Sequence, residues 1–277
     1  GPEVVAKALV SEEIYRICRP LVIGEYKAMR KALQLAKLPN ELRPVTAPDE
    51  AGKQPGAIDL LDLHNLREED VLPGKVCKSC GKAAVEYIIK AAELALHHEV
   101  EAIVTAPINK EATRSAGYGE LGHLELLARY TGAEEYATML VSGPLRVVHL
   151  TTHYSLKDAL LCINRVNILA KLRLIQRSFR DWGISHPRIA VAALNPHGGE
   201  GGILGSEEIQ EISPAISTAQ EEGINAAGPY PADTVFLRAI RGEFDVVLAM
   251  YHDQGHIPIK VYNFRQSVSI ALGLPFI

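Results

Sequence analysis

Three apolar segments, each typical of a buried strand, run into a histidine. They are VVHLTTH, which ends at His153, IAVAALNPH, which ends at His197, and VVLAMYHD, which contains His252. Because the carboxyl ends of parallel strands meet at one edge of a sheet, we expect these imidazoles on the same side. One histidine at a strand end is more often a hydrogen-bonded structural residue, but three equivalent ones predict a divalent-metal site with positions open to substrate or water.

Other groups able to transfer protons follow strand-like segments. Lys110 comes after TAPIN, Asp253 follows His252 directly, and Asp233 closes the turn GPYPAD. Lys110 is either a surface residue at a helix start or a partner for a carboxylate or a transferable proton. Asp233 has the sequence position of an N-cap for the helix TVFLRAIRG, and such a residue can still face a cleft. All three are candidates for proton transfer, and the sequence does not rank them.

The segment GGEGGILGSEE after His197 is rich in glycine and acidic residues. Its glycines allow backbone N–H groups to approach a ligand, and Ser206 resembles the N-cap of a following helix. An anion site and a merely tight turn are both compatible with this pattern. It matches neither a Walker loop nor a G-x-G-x-x-G fingerprint, so it identifies no cofactor-binding residues.

The elements that must position these groups alternate along the chain. Strand-like segments such as PLVIGE, GAIDLLDL, VEAIVTAP (residues 100–107) and YATMLVS are separated by segments with apolar residues at helical spacing. Residues 156–183 predict one long helix or two shorter ones, and Gly132 is expected to end another. This alternation predicts an α/β fold with a largely parallel sheet.

Composition limits the classes of protein that this chain can belong to. Its 277 residues suffice for one large domain or two lobes, and 47% hydrophobic with 22% charged residues is typical of a soluble globular protein. A formal charge of -4 argues against nucleic-acid binding, and no apolar run is long enough to predict a membrane span. Cys77 and Cys80 lack a second pair, which favours a loop that leads into a helix near Ser79 over a zinc knuckle. A reduced, cytoplasmic location is expected.

Seven motifs, in order and spread over most of the chain, resemble those of the 4-hydroxythreonine-4-phosphate dehydrogenase family of pyridoxal phosphate biosynthesis. They are TAPINKEA, GHLELLA, TTHYSLKDA, LNPHGGEGG, GPYPADTVF, MYHDQGHIPIK and LGLPFI. The resemblance implies a two-lobed α/β/α fold of the isocitrate and isopropylmalate dehydrogenase type. From it we expect an outer lobe of residues 1–118 and 257–277, and a central lobe of residues 119–256 that carries the metal site and dimer contacts.

The resemblance also implies chemistry. Members of the family use NAD and a divalent metal to oxidise a secondary alcohol, and the resulting β-keto acid loses carbon dioxide. The implied metal ligands are His153, His197 and His252, drawn from both subunits of a homodimer. His123 and Lys260 match substrate-contacting residues. The metal (Zn, Mg, Co or Mn) and the choice between NAD and NADP stay open.

Two positions depart from the family pattern and bear on the substrate. Leu124 stands where the family usually has threonine, and Ser269 where it usually has asparagine. The resemblance implies a small anionic substrate, 4-hydroxythreonine 4-phosphate or else erythronate or threonate 4-phosphate. An unphosphorylated cyclic dihydrodiol carboxylate is the alternative that Leu124 favours, and a metal- or metabolite-binding protein without turnover is a third reading.

Overall fold

The computed structural model describes residues 1–119 and 122–277 and divides into two compact units. The first unit comprises Gly1–Gly132 and Pro275–Ile277, and the second comprises Ala133–Leu274. Within the described ranges, none of the helices combines the length and apolar character needed to cross a membrane.

The first unit is built on a three-stranded parallel sheet with the order β1-β3-β2. Its strands are β1 (Leu21–Gly24), β2 (Glu41–Val45) and β3 (Ala57–Asp62). Its helices are α1 (Pro2–Ala8), α2 (Glu12–Ile17), α3 (Tyr26–Ala36), α4 (Lys78–Leu96), α5 (Lys110–Ser115) and α6 (His123–Thr131). The central strand β3 buries Ile58 and Leu60 in one cluster with Met29 and Leu33 of α3, so the apolar face of α3 covers the sheet.

The second unit contains a six-stranded sheet with the order β7-β6-β8-β5-β4-β9. The strands are β4 (Ala137–Ser142), β5 (Leu145–His149), β6 (Ile189–Ala192), β7 (Ala226–Tyr230), β8 (Val246–Ala249) and β9 (Val268–Leu272). Strands β7, β6, β8 and β5 are parallel, whereas β4 is antiparallel to both β5 and β9. The largely parallel sheet predicted from the alternation of elements is confirmed.

Helices cover both faces of this sheet. They are α7 (Leu156–Leu161), α8 (Arg165–Asp181), α9 (Ser213–Glu221), α10 (Ala232–Ile240) and α11 (His252–Asn263), and a π-helical turn (Glu208–Ile212) leads into α9. Val148 packs in the cluster that includes Phe179 of α8, whereas its neighbour Val147 packs with Phe236 of α10 and Ile259 of α11. Burial on both faces explains why these strands are continuous apolar runs instead of alternating ones.

Several predicted element boundaries are confirmed. Helix α6 ends at Gly132, whose φ of +68° suits a residue without a Cβ. Residues 156–183 form two helices because Asn164 interrupts the first and caps α8, accepting a hydrogen bond from the Asn167 N–H. Helix α4 begins at Lys78 with Cys77 as its N-cap, next to the predicted start.

Two predictions of local structure were wrong. Residues 100–107 form no strand; the Ile103 N–H donates to the Ile277 carbonyl, and Val104 is 97% exposed. Apolar composition alone does not make a strand when no neighbouring strand forms a ladder with it. The sequence also did not predict α11, because Gly255 and Pro258 disfavour a helix.

The boundaries of the two units differ from the boundaries predicted for the two lobes. Residues 119 and 122–132 lie in the first unit, and residues 257–274 lie in the second. The physical reason for the second difference is that α11 packs on β4, β5 and β8, while β9 pairs with β4 through five residue pairs from Ala137↔Leu272 to Val141↔Val268.

Candidate active site

The three predicted metal ligands follow three neighbouring parallel strands of the second unit. In the sheet order β6-β8-β5, His197 follows β6, His252 follows β8, and His153 follows β5. The strands end earlier than the sequence predicted, so all three imidazoles stand on the segments beyond the sheet. Parallel strands that lie side by side present these segments at one edge.

His252 is oriented by its surroundings. Its Nδ1–H donates to Asp253 Oδ1 at 2.7 Å, which leaves the Nε2 lone pair available. Its ring also stacks on that of His256, one helical turn later in α11, with 3.6 Å between centroids and 13° between planes. A carboxylate that fixes the tautomer of an imidazole is a common arrangement around metal ligands, so His252 fits a metal-binding role.

His149, at the end of β5, lies next to this stacked pair, with its ring centroid 4.5 Å from that of His256. His256 Nδ1 is 3.1 Å from the His252 carbonyl and 3.0 Å from His149 Nε2. Since a carbonyl only accepts, Nδ1 of His256 carries the hydrogen and His149 Nε2 is an acceptor. Burial, reinforced by the neighbouring His256 and His252, lowers the pKa of His149 to about 3, so His149 is neutral near pH 7.

Gln254 ties the ends of β8 and β6 together. Its side chain is 8% exposed; Oε1 accepts from the Met250 N–H at 2.7 Å, and Nε2 donates to the Ala193 carbonyl at 2.7 Å. The adjacent Gly255 permits a close approach of α11 to β5, because an added Cβ would lie 2.3 Å from His149 Nε2. These contacts hold the segments that precede His197 and His252 in fixed places.

His197 and His153 are both exposed. His197 has a φ of +55° and opens a run of six residues with positive φ that ends at Gly202. Such a conformation costs a residue with a Cβ about 1–2 kcal/mol, and the surroundings must impose it. His153 lies between β5 and α7.

The described part of a single chain brings no group of three or more His, Cys, Asp or Glu side chains together in a way that could hold a metal ion. The triad of His153, His197 and His252 therefore stays a prediction. Three imidazoles are nevertheless a donor set suited to a divalent metal, and His252 has its free nitrogen already defined.

Two of the other predicted residues lie close together in the first unit. His123 begins α6, and its Nε2 is 3.1 Å from the Ala106 carbonyl. Burial is the main cause that lowers the pKa of His123, and the Lys110 ammonium lowers it further. Lys110 begins α5, which Asn109 caps by accepting the Ala112 N–H at 2.8 Å. Leu124 follows His123 and is half-buried.

The remaining predicted residues lie in the second unit. Asp233 is exposed in the first turn of α10; Pro231 occupies the N-cap, so the N-cap role expected for Asp233 was wrong. Lys260 is exposed on α11, with its Nζ 5.0 Å from the Phe264 ring centroid. Ser269 is exposed on β9 opposite Leu140. Asp253 already accepts from His252, which favours an orienting role for it.

Sequence reasoning missed the polar residues that support the ligands. They are His149, Gln254, His256 and Glu208. The signal for one of them was available, since His252 and His256 have the spacing of neighbours on a helix. It was not recognised because the segment was interpreted as the end of a strand.

Comparison with known proteins gives a consistent result. Residues 16–277 match the family model described as pyridoxal phosphate biosynthetic protein PdxA. The chain is 44% identical to the D-threonate 4-phosphate dehydrogenase of Cupriavidus necator, over all of this chain and 83% of that protein.

Two solved structures resemble the chain. The 4-hydroxythreonine-4-phosphate dehydrogenase of Klebsiella pneumoniae superposes with a TM-score of 0.93 at 41% identity, covering 99% of this chain and 84% of that one. A terephthalate 1,2-cis-dihydrodiol dehydrogenase from Burkholderia xenovorans has a TM-score of 0.67 at 30% identity, covering 100% and 83%. The chain is therefore more similar, in both sequence and structure, to the Klebsiella pneumoniae enzyme than to the Burkholderia xenovorans enzyme.

The bonds of Gln254 predict a measurable effect on stability. Gln254→Leu keeps the approximate volume but leaves the Met250 N–H and the Ala193 carbonyl buried without their partner. Each unsatisfied group costs about 1–3 kcal/mol, so the loss of both partners should lower the free energy of unfolding in urea by roughly 2–6 kcal/mol. Gln210→Leu, the same change at an exposed position, is the control and should stay within about 1 kcal/mol of the wild type. Equal stabilities of the two variants would show that Gln254 is not the tie described.

Proposed function

The chain belongs to the pyridoxal phosphate biosynthetic protein PdxA family of dehydrogenases, and we propose that it oxidises a phosphorylated four-carbon hydroxy acid with NAD and a divalent metal. The observation that carries this proposal is the position of His153, His197 and His252 after three neighbouring parallel strands. The substrate would be D-threonate 4-phosphate, 4-hydroxythreonine 4-phosphate or a close analogue, in agreement with the names of the similar proteins.

The chemistry follows from the substrate. Loss of a hydride from the carbinol carbon and of a proton from its hydroxyl gives a ketone β to the carboxylate. The C–C bond to that carboxylate then breaks, carbon dioxide leaves, and the resulting enolate takes up a proton. A bound nicotinamide would accept the hydride. A bound divalent metal would supply Lewis-acid stabilisation of negative charge on the substrate oxygens.

The residues of this chain have separate tasks in the proposal. His153, His197 and His252 would hold the metal, and Asp253 would keep Nε2 of His252 free to bind it. Asp233 and Lys110 are the groups proposed for proton transfer, since both are exposed at the first turns of helices and Asp253 is already occupied. Lys260 and His123 would bind the anionic end of the substrate, with Leu124 and Ser269 contributing to the choice of substrate.

We also propose that the active form is a homodimer in which each site draws ligands from both subunits. Val261 and Phe264, about one turn apart at the C-terminal end of α11, are both more than two-thirds exposed. Apolar side chains exposed side by side in this way are consistent with a surface that binds another subunit. A dimer would also explain why one chain alone assembles no complete metal-binding group among its described residues.

A second candidate activity is oxidation of an unphosphorylated cyclic dihydrodiol carboxylate. Leu124 favours it, because an apolar side chain replaces the hydroxyl that the family usually has at this position. The similarity to the Burkholderia xenovorans dihydrodiol dehydrogenase keeps this class in consideration. The lower identity and TM-score rank it second.

NADH formation with a panel of substrates tests the proposal. The panel contains D-threonate, erythronate and 4-hydroxythreonine 4-phosphates, the same acids without phosphate, and a cyclic dihydrodiol carboxylate, each with and without a chelator. We expect metal-dependent turnover with a phosphorylated acid, and kcat/KM lower by at least about 100-fold without the phosphate.

Other outcomes of the panel separate the alternatives. Preference for the dihydrodiol would establish the second candidate, and no NADH with any substrate would favour a binding protein without turnover. The active preparation should sediment as a dimer, so a fully active monomer would contradict the shared site.

The proposed role of His123 predicts a pH dependence. Its pKa lies below the usual value, so the ring is neutral near pH 7 and gains a charge only in more acidic solution. A phosphate would attract the charged ring more strongly. The ratio of the KM of His123→Gln to the KM of the wild type should therefore rise as the pH falls below the usual histidine pKa of about 6.5, and should reach roughly tenfold once the ring is charged, the effect of a charged hydrogen bond.

Taking the ratio cancels the titration of the substrate phosphate, which affects both proteins equally. Glutamine can still donate to the Ala106 carbonyl, so the local fold is preserved. A ratio that does not change with pH would exclude His123 as a partner of the phosphate.

A further inference from the structure

The turn that carries His197 has an unusual backbone. Six successive residues, from His197 to Gly202, have positive φ values of 55°, 69°, 78°, 45°, 68° and 100°. Two of them, His197 and Glu200, have a Cβ and do not favour this region. Something outside the turn must therefore hold it.

Glu208 is the group placed to do so. It is 3% exposed, in the π-helical turn that follows. Its Oε1 accepts the N–H groups of Leu194 and Asn195 at 2.8 and 2.7 Å, and its Oε2 accepts the Asn195 side-chain amide at 2.9 Å. Three N–H donors suit a carboxylate, which is purely an acceptor when ionised.

The packing around this carboxylate leaves no spare room. A Cβ added to Gly199 would lie 2.8 Å from Glu208 Oε2, and one added to Gly205 would lie 2.4 Å from Asn195 Nδ2. Gly199, in the middle of the turn, and Gly205, which follows it, therefore lie close against Glu208 and Asn195. Pro196, with its fixed φ, is the single residue between Asn195 and His197.

We infer that Glu208 is a positioning residue that sets the location of the His197 imidazole through the backbone of residues 194–196. The metal-binding consequence rests on the proposed function, in which His197 is a ligand; the effect on the backbone does not. A carboxylate serves better than an amide here, because all the groups that face it are donors.

Glu208→Gln is the substitution that tests this inference. The amide oxygen of glutamine can accept from Leu194 and Asn195, but its NH₂ group then faces the NH₂ group of Asn195. Glu221→Gln, the same change at an exposed position at the end of α9, is the matched control. Both variants are made in the full chain and checked for folding by near-UV circular dichroism.

Amide hydrogen exchange of the metal-free protein is the first measurement. In Glu208→Gln we expect exchange to accelerate by about tenfold or more in residues 194–205, with little change in β8 or α8, whereas Glu221→Gln should match the wild type. Unchanged exchange in residues 194–205 would overturn the inference. Acceleration spread evenly over the second unit would also overturn it, because it would indicate a general loss of stability.

Titration with Co²⁺ is the second measurement. Loss of a group that orients a ligand typically weakens metal binding by about 10–100-fold, and we expect this for Glu208→Gln but not for Glu221→Gln. If the wild type binds Co²⁺ and the affinity of folded Glu208→Gln is unchanged, the inference is wrong. If the wild type binds none, the proposed function fails, and the exchange measurement alone decides the role of Glu208.

Asn195→Ala provides a second variant in case Glu208→Gln does not fold. It removes the side-chain tie to Glu208 and to Glu207 and leaves the two backbone bonds in place. A smaller acceleration of exchange in the same segment, with Co²⁺ binding weakened several-fold, would support the inference. Wild-type values for both would contradict it.

Discussion

Within each subunit the candidate site depends on one constraint, the parallel arrangement of three neighbouring strands. In the order β6-β8-β5 each strand is buried on both faces, and each continues into a segment that carries a histidine. Hydrogen bonding between the strands fixes their register, with Ala190 opposite Val247 and Val247 opposite Val147. Residues far apart in the sequence are brought to one edge of the sheet by this pairing.

Polar contacts then define the segments beyond the strands. Gln254 links the ends of β8 and β6, Glu208 holds the chain before His197, and Asp253 selects the tautomer of His252. None of these three was identified as a supporting residue from the sequence. Supporting groups of this kind fix the rotamer of a ligand, and a ligand without them is free to adopt orientations that do not bind the metal.

Part of this account could be predicted from the sequence, and the reasons for the rest are physical. Apolar runs followed by histidines predicted the sheet and the position of the histidines beyond its strands. This was possible because a strand that is buried on both faces is a continuous apolar run in the sequence. Helix α11 could not be predicted locally. Its Gly255 is unfavourable in an isolated helix and is required here by the close approach to His149.

In the left-handed turn and in the segment 100–107, the local conformation differs from what the residue types indicate. Glycines indicated a tight turn after His197, but nothing in the residue types indicated that His197 and Glu200 would share its conformation. Residues 100–107 have strand-like composition, yet a ladder needs a partner that the composition does not report. Tertiary contacts decided both cases.

The central claim is that His153, His197 and His252 bind one divalent cation. The most direct measurement is the X-ray absorption fine structure of the Co²⁺-loaded protein, compared with single alanine variants of these histidines and of the exposed His186. The account predicts about three imidazole nitrogens around the metal in the wild type and in His186→Ala, and loss of tight binding in each of the other variants. Tight binding with an unchanged imidazole shell in all four variants would contradict it.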